Sequence, residues 1–183
     1  MQTRHLSILA TFVLVALGIV LCACSNTPNT STINNTTTNG NWEARLIGGT
    51  EQASLLNFVV TFSVTNNGPL DITGFGFINN QACFATGLNA ENENGNAAFT
   101  TDNSGQVTGT LSLNVTSINP AGNSLSLNGT LTGTSNGTTT TTGTLSNGVV
   151  VGNWTLTGGA GDSSCTGSGS FVMCQGNSTC TAP

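Results

Sequence analysis

From Trp42 onward apolar and polar residues alternate with a period of two, the repeat of a strand with one buried and one wet face. In Val107–Val115 one face collects Val107, Gly109, Leu111, Leu113 and Val115, and the other collects Thr108, Thr110, Ser112 and Asn114. The next run sets Leu125, Leu127, Gly129 and Leu131 against Ser126, Asn128, Thr130 and Thr132. Asn119-Pro-Ala-Gly-Asn123 lies between the two runs, a turn cluster that joins them as a hairpin.

The same alternation predicts strands at Trp42–Ile47, Leu56–Thr65, Ile72–Asn79, Ala97–Thr101, Thr138–Leu145, Val149–Thr157 and Gly169–Cys174. Turn signals separate them at Asn66-Asn-Gly-Pro69, Asn92-Glu-Asn-Gly-Asn96, Asp102-Asn-Ser-Gly105, Ser135-Asn-Gly137 and Ser146-Asn-Gly148. Several are Asn-Gly pairs, which supply the positive φ of tight hairpins. No segment carries an apolar period of 3.6 over a helical length. The expectation is one all-β domain over residues 41–183, an antiparallel meander of about eight or nine strands, because connections this short keep sequence neighbours paired. A meander of that length closes or folds over to hide its edges. An up-and-down β-barrel is the first choice and a two-sheet β-sandwich the second. Glycines at the inward positions 109, 129, 143 and 152 fit the sharp bends of either.

The first 23 residues follow a different pattern. Arg4 and His5 precede an almost wholly apolar stretch, Leu6–Leu21, which is short for a membrane span of roughly 20 residues and has the form of a signal peptide. It ends in Leu21-Cys22-Ala23-Cys24, which resembles a bacterial lipobox. The resemblance implies cleavage after Ala23, lipidation of the Cys24 thiol and acylation of its new amine. Ser25 at the next position resembles the outer-membrane-sorted class. Residues 24–40 then form the lipidated cysteine and a polar spacer, since Ser25–Gly40 has no charge and too few apolar side chains to offset its ordering entropy. The localisation expected is therefore exported and membrane-anchored, with the membrane as a partner through Cys24.

Composition narrows the chemistry. Ser, Thr, Asn and Gly make up 97 of the 183 residues, there is no Lys or Tyr, and the basic residues are Arg4, Arg45 and His5. General acid and base catalysis and activated nucleophiles lack their usual side chains, so no catalytic residues and no enzyme activity are expected. Nucleic acid is excluded as a partner, because phosphate neutralisation needs several Lys or Arg. Glu91 and Glu93, with Asp102, are candidate oxygen ligands for calcium. Their spacing matches no EF-hand loop, and the expectation is solvated carboxylates, with neither metal nor cofactor. Glu43 and Arg45, two apart on one strand face, are expected to form a surface ion pair.

With Cys22 in the leader and Cys24 lipidated, Cys83, Cys165, Cys174 and Cys180 remain. Four exported cysteines suggest two disulfides and allow three connectivities. Cys83 with Cys165 and Cys174 with Cys180 is the pairing we favour, because the last two flank the turn-prone Gln175–Thr179. A metal site is disfavoured because no pair has C-x2-C spacing and no His is at hand.

Gly40-Asn-Trp42 opens the first strand and Gly152-Asn-Trp154 echoes it. The first copy resembles the Gly-x-Trp that opens the first strand of lipocalins, and the Gly/Thr-rich meander is similar in texture to avidin-like barrels. In lipocalins that Trp packs under a late basic side chain, and no Lys or Arg follows Arg45 here. A broader likeness is to uncharacterised Ser/Thr/Asn/Gly-rich lipoproteins of acidobacterial type. It rests on the lipobox at Cys24, the polar spacer, Gly40–Trp42, the repeated Gly129-Thr-Leu131 and Gly143-Thr-Leu145, and the late Cys165. Trp42 and Trp154 are expected to plug the core. Phe58, Phe62, Phe75 and Phe77 gather in two adjacent strands, as core packing or as the lining of a ligand cavity. Two functions follow. The first is a non-catalytic binding or surface-structural module of the cell envelope, with a glycan or another envelope protein as partner. The alternative is a carrier holding a small apolar ligand in the barrel interior.

Overall fold

The computed structural model describes residues 36–48, 53–65, 67–79, 82–84, 90–118, 122–137, 142–159, 164–176 and 180. The leader, Cys24 and the spacer through Asn35 lie outside these residues, as do residues 138–141 of one expected strand. Among the described residues ten strands carry the fold: β1 (Thr36–Thr38), β2 (Asn41–Ile47), β3 (Phe58–Thr65), β4 (Gly68–Pro69), β5 (Asp71–Phe77), β6 (Glu91–Thr101), β7 (Gln106–Ser117), β8 (Ser124–Ser135), β9 (Gly143–Thr157) and β10 (Gly167–Gln175). A short 3-10 turn, Ala53–Leu56, precedes β3.

The fold is an all-β barrel with a meander course. β2 pairs with β3, β3 with β5, β6 with β7, β7 with β8, β8 with β9 and β9 with β10, all antiparallel. β10 then returns to β2, with Cys174 opposite Glu43. Among the described residues no ladder joins β5 to β6, so the meander has one slit. Two-residue β4 lies along the β6 side of it, pairing Gly68 with Ala97 and Pro69 with Asn96. Proline there offers no N–H for further pairing, a common way of blunting an edge.

β1 closes a smaller ring. It pairs antiparallel with β3 and parallel with β9, so β1, β3, β2, β10 and β9 form a closed five-stranded barrel from which β8, β7, β6 and β4 continue. The spacer expected from sequence thus gives up Thr36–Thr38 to the sheet. A run of threonines carries no apolar pattern, yet Thr36 and Thr38 are fully buried. The Thr36 hydroxyl lies 2.7 Å from that of Thr101 and donates to Ser135 Oγ at 3.0 Å, which offsets the cost of burying it, while the Thr38 hydroxyl has no partner among the described residues.

Two predicted turns are strand instead. Asn92–Asn96 forms part of an unbroken eleven-pair ladder from Glu91↔Ser117 to Thr101↔Val107. Ser146–Gly148 does not end a strand either: Asn147 takes φ +53°, and Asn147 with Gly148 stands against the single residue Gly133 as a bulge within β9. Beyond it β9 changes partner, from β10 at residues 149–156 to β1 at residues 143–144. Asn147 adopts the left-handed conformation its residue type favours, but inside a strand rather than at a turn between two. Gln175 braces the bulge, accepting from the Gly148 N–H at 3.1 Å and donating to the Leu145 carbonyl at 3.1 Å and the Asn39 carbonyl at 2.9 Å.

The inward faces of β7 and β8 are those the alternation predicts, with Val107, Leu111, Leu113, Val115, Leu125, Leu127 and Leu131 buried. Inward glycines make room for aromatics from neighbouring strands. A Cβ on Gly148 would meet Trp42, one on Gly129 would meet Val150 and Phe171, and one on Gly169 would meet the Trp154 indole nitrogen. Alternating very large and absent side chains lets a Leu/Val interior fill a strongly coiled barrel. Two disulfides fasten it, Cys83–Cys165 across 82 residues and Cys174–Cys180 across six. The second covers Val172 on the outer side of β10, where a small apolar cluster with Ile47 and Val149 is buried.

Candidate functional site

The aromatic candidates all belong to the interior. Trp42 and Trp154 are each 1 % exposed, Phe58 and Phe62 are buried, and Phe75 and Phe77 are half-buried against them. Trp42 stacks on Phe62 with ring centroids 5.3 Å apart. Phe58, Phe75, Phe77 and Phe84 form a second string, with centroid separations of 5.0 Å for Phe58–Phe75 and 4.8 Å for Phe77–Phe84. The Trp154 indole N–H donates to the Ile47 carbonyl at 3.3 Å, which ties β9 to the end of β2. Phe84 joins this packing from the segment holding Cys83, a neighbour that strand periodicity did not reveal.

Carboxylates separate into three environments. Glu43 accepts from the Arg45 Nε–H at 2.8 Å on the outside of β2. Asp102 sits in the β6–β7 hairpin, where the Ser104 hydroxyl and the backbone N–H groups of Ser104 and Gln106 donate to its Oδ1, holding its pKa below the usual 3.8. Glu91 and Glu93 begin the same strand, about 30 Å away at 3.3 Å per residue, so the three acids do not gather. Their positions share the inward register of Gly95, Ala97 and Phe99. Burial raises the pKa of Glu91 above 4.5 and the Glu93 charge raises it further, while Glu93 is raised by burial.

The outer face carries a depression. It is open, about 790 Å³, and lies over β6, β7 and β8 where β4 crosses beside them. Its polar lining comes from Asn67, Asn96, Thr110, Ser112, Asn128 and Thr130. The register explains the array: Asn96, Ser112 and Asn128 stand opposite one another in one cross-strand row, and Ala98, Thr110 and Thr130 in the next. The second row runs on to Val151, whose side chain is 46 % exposed. No charged residue lines it.

Hydrogen-bonding capacity differs along this face. Toward one end Asn114 Oδ1 accepts from Ser124 and Ser126 and its Nδ2 donates to Thr116, so those groups satisfy one another. In the depression Ser112 Oγ makes only a long contact to the Asn96 carbonyl, 3.4 Å, and Asn67 Oδ1 accepts the Phe99 N–H. The side chains of Asn96, Thr110, Asn128 and Thr130 face outward and bond no other described residue. The wet-face positions of β7 and β8 were legible in the alternation. Asn67 and Asn96 were not, because both sat inside sequences that read as turns. Among the described residues no group of three or more His, Cys, Asp or Glu side chains assembles as a metal cluster, and no helix is long and apolar enough to cross a membrane. Comparison with protein-family models, with curated proteins and with solved structures finds no match for this chain.

Proposed function

We propose that the protein is a cell-envelope lipoprotein, anchored in the outer membrane through Cys24, whose β-barrel is a non-catalytic binding module for a neutral, hydroxyl-rich ligand such as a glycan strand. The observation that carries the reading is the uncharged depression on β6–β8, where the Asn96, Thr110, Asn128 and Thr130 side chains of two adjacent cross-strand rows make no hydrogen bond to another described residue. Such a surface offers donors and acceptors at strand spacing and no charge to select an ionic partner. The carrier alternative would seat a ligand among Trp42, Trp154, Phe58 and Phe62, positions filled here by side chains packed on one another. The disulfides are compatible with an oxidising compartment outside the cytoplasm.

Titration calorimetry against neutral envelope polysaccharides tests the binding reading. Binding should weaken about three- to tenfold in Asn128→Ala and in Thr110→Ala, on the order of one hydrogen bond each. A parent protein that binds none of them, or variants that bind as tightly as the parent, overturns it. Mass spectrometry of the N-terminal peptide tests the anchor separately: a diacylglyceryl group on Cys24 is expected, and an unmodified or uncleaved N-terminus rejects it.

A further inference from the structure

We propose that Glu91, Glu93 and Ser117 form a binding site for a divalent cation of the calcium type at one mouth of the barrel. The ladder sets Glu91 directly opposite Ser117 and Glu93 opposite Val115, so all four side chains lie on the same face. That face is the inward one, since Val115 is fully buried and Ser117 is 3 % exposed. Two carboxylates thus stand side by side at the rim of an apolar interior, close enough for the charge of one to raise the pKa of the other.

Nothing on the described chain neutralises them. Arg45 is the single basic side chain among the described residues, and it is paired with Glu43 on the outside of β2. Ser117 supplies the second, independent sign. Its backbone is fully engaged, the N–H donating to the Asn123 carbonyl at 2.8 Å and the carbonyl accepting from Gly122 at 3.1 Å. Its hydroxyl is buried and has no partner among the described residues. A buried hydroxyl on the same face as two unneutralised carboxylates gives a third oxygen to a hard cation. Calcium accepts six to eight oxygens in loose geometry, so two Glu side chains, one hydroxyl and water suit it. Magnesium requires a near-ideal octahedron and sheds water reluctantly, which two flexible side chains of one strand do not enforce. Asp102, the third acid considered from sequence, is at the far end of β6, and Ser117 takes its place through the register.

The test uses the full chain in nonionic detergent, stripped of metal with a chelator, and Ca2+ alone as the probe. Calorimetry should give a Kd of about 10⁻⁴ to 10⁻³ M, the range of extracellular calcium modules with few charged ligands. Addition of about 10 mM Ca2+, roughly ten times the weaker of these values, should raise Tm more than Mg2+ at matched ionic strength. The double variant E91Q/E93Q should bind at least about tenfold more weakly while melting no lower than the parent in metal-free buffer, because the isosteric amides remove a repulsion. Ser117→Ala should weaken binding by a smaller factor, about threefold, in the sense expected for one neutral oxygen. Absence of binding heat and of a calcium-specific Tm shift overturns the proposal. So does a double variant that binds Ca2+ as the parent does.

Discussion

A Cβ placed on Gly152 would lie 2.0 Å from the Asn128 carbonyl oxygen and 2.4 Å from Gly129 Cα, backbone atoms of the paired strand that cannot swing aside. Gly76, on β5, has nothing within 4 Å of the same position. Gly152→Ala should therefore cost about 1–3 kcal/mol or more through overpacking, whereas Gly76→Ala should be within about 0.5 kcal/mol of the parent, read by urea denaturation. Equal costs would show that sheet curvature, rather than these contacts, sets the tolerance. Titration acts at the same scale. The Glu91 and Glu93 pKa values are raised on folding, so their stabilising contribution is complete below about 4.5 and is lost as pH rises through their folded values. Asp102 is lowered, so its contribution is present above 3.8 and lost as pH falls through its folded value. In metal-free buffer Tm should rise as pH is lowered from 7 toward 4.5 and fall again in stronger acid, and E91Q/E93Q should remove the rise. A Tm flat across the upper window in the parent would contradict the burial of these carboxylates. Residue positions of this kind were legible in β7 and β8, where Leu and Val alternate with Thr and Ser. They were not legible in Glu91–Gly95, where Asn and Gly signal a turn locally and eleven cross-strand pairs override them.

At the scale of elements, the β9 bulge decides the architecture. Asn147 supplies a left-handed residue and Gly148 leaves room for the Trp42 ring, and together they redirect β9 from β10 to β1. Asn147→Gly should be nearly neutral, while Asn147→Val should cost about 1–2 kcal/mol because a β-branched residue resists positive φ. Gln175→Ala removes three hydrogen bonds that tie β10, the bulge and Asn39, and should cost about 1–3 kcal/mol. Thermal melts of the three variants check this order, and a Gln175→Ala protein as stable as the parent would show that solvent replaces the brace. The sequence carried the Asn-Gly signal but no sign that the chain would run straight through it, since partner exchange depends on β1. That strand in turn was invisible: Thr36 and Thr38 are buried, and Thr36 finds its partners only when Thr101 and Ser135 arrive from far along the chain.

For the whole molecule, the meander and the all-β class were legible because period-two alternation and short connections are local properties. The outer depression was not, because it requires β4 to cross beside β6 and three strands to align Asn96, Ser112 and Asn128 in one row. The disulfides act at this scale too. By chain entropy the 82-residue crosslink contributes about 4.5 kcal/mol and the six-residue one about 2 kcal/mol. The paired Cys83→Ala, Cys165→Ala variant should thus lose about 9 °C or more in Tm and the Cys174→Ala, Cys180→Ala variant roughly half as much, with the reverse order excluding the loop-entropy account. The return of β10 to β2 has its own consequence, in time rather than in space. Glu43 waits for Cys174, 131 positions further along the chain, so the first hydrogen-bonded strand of the meander has no closing partner until nearly the entire chain has emerged. High contact order of this kind slows folding and leaves β2 open to strangers in the interval. Glu43 and Arg45, charged and side by side on that waiting strand, discourage other strands from pairing with it until its own arrives.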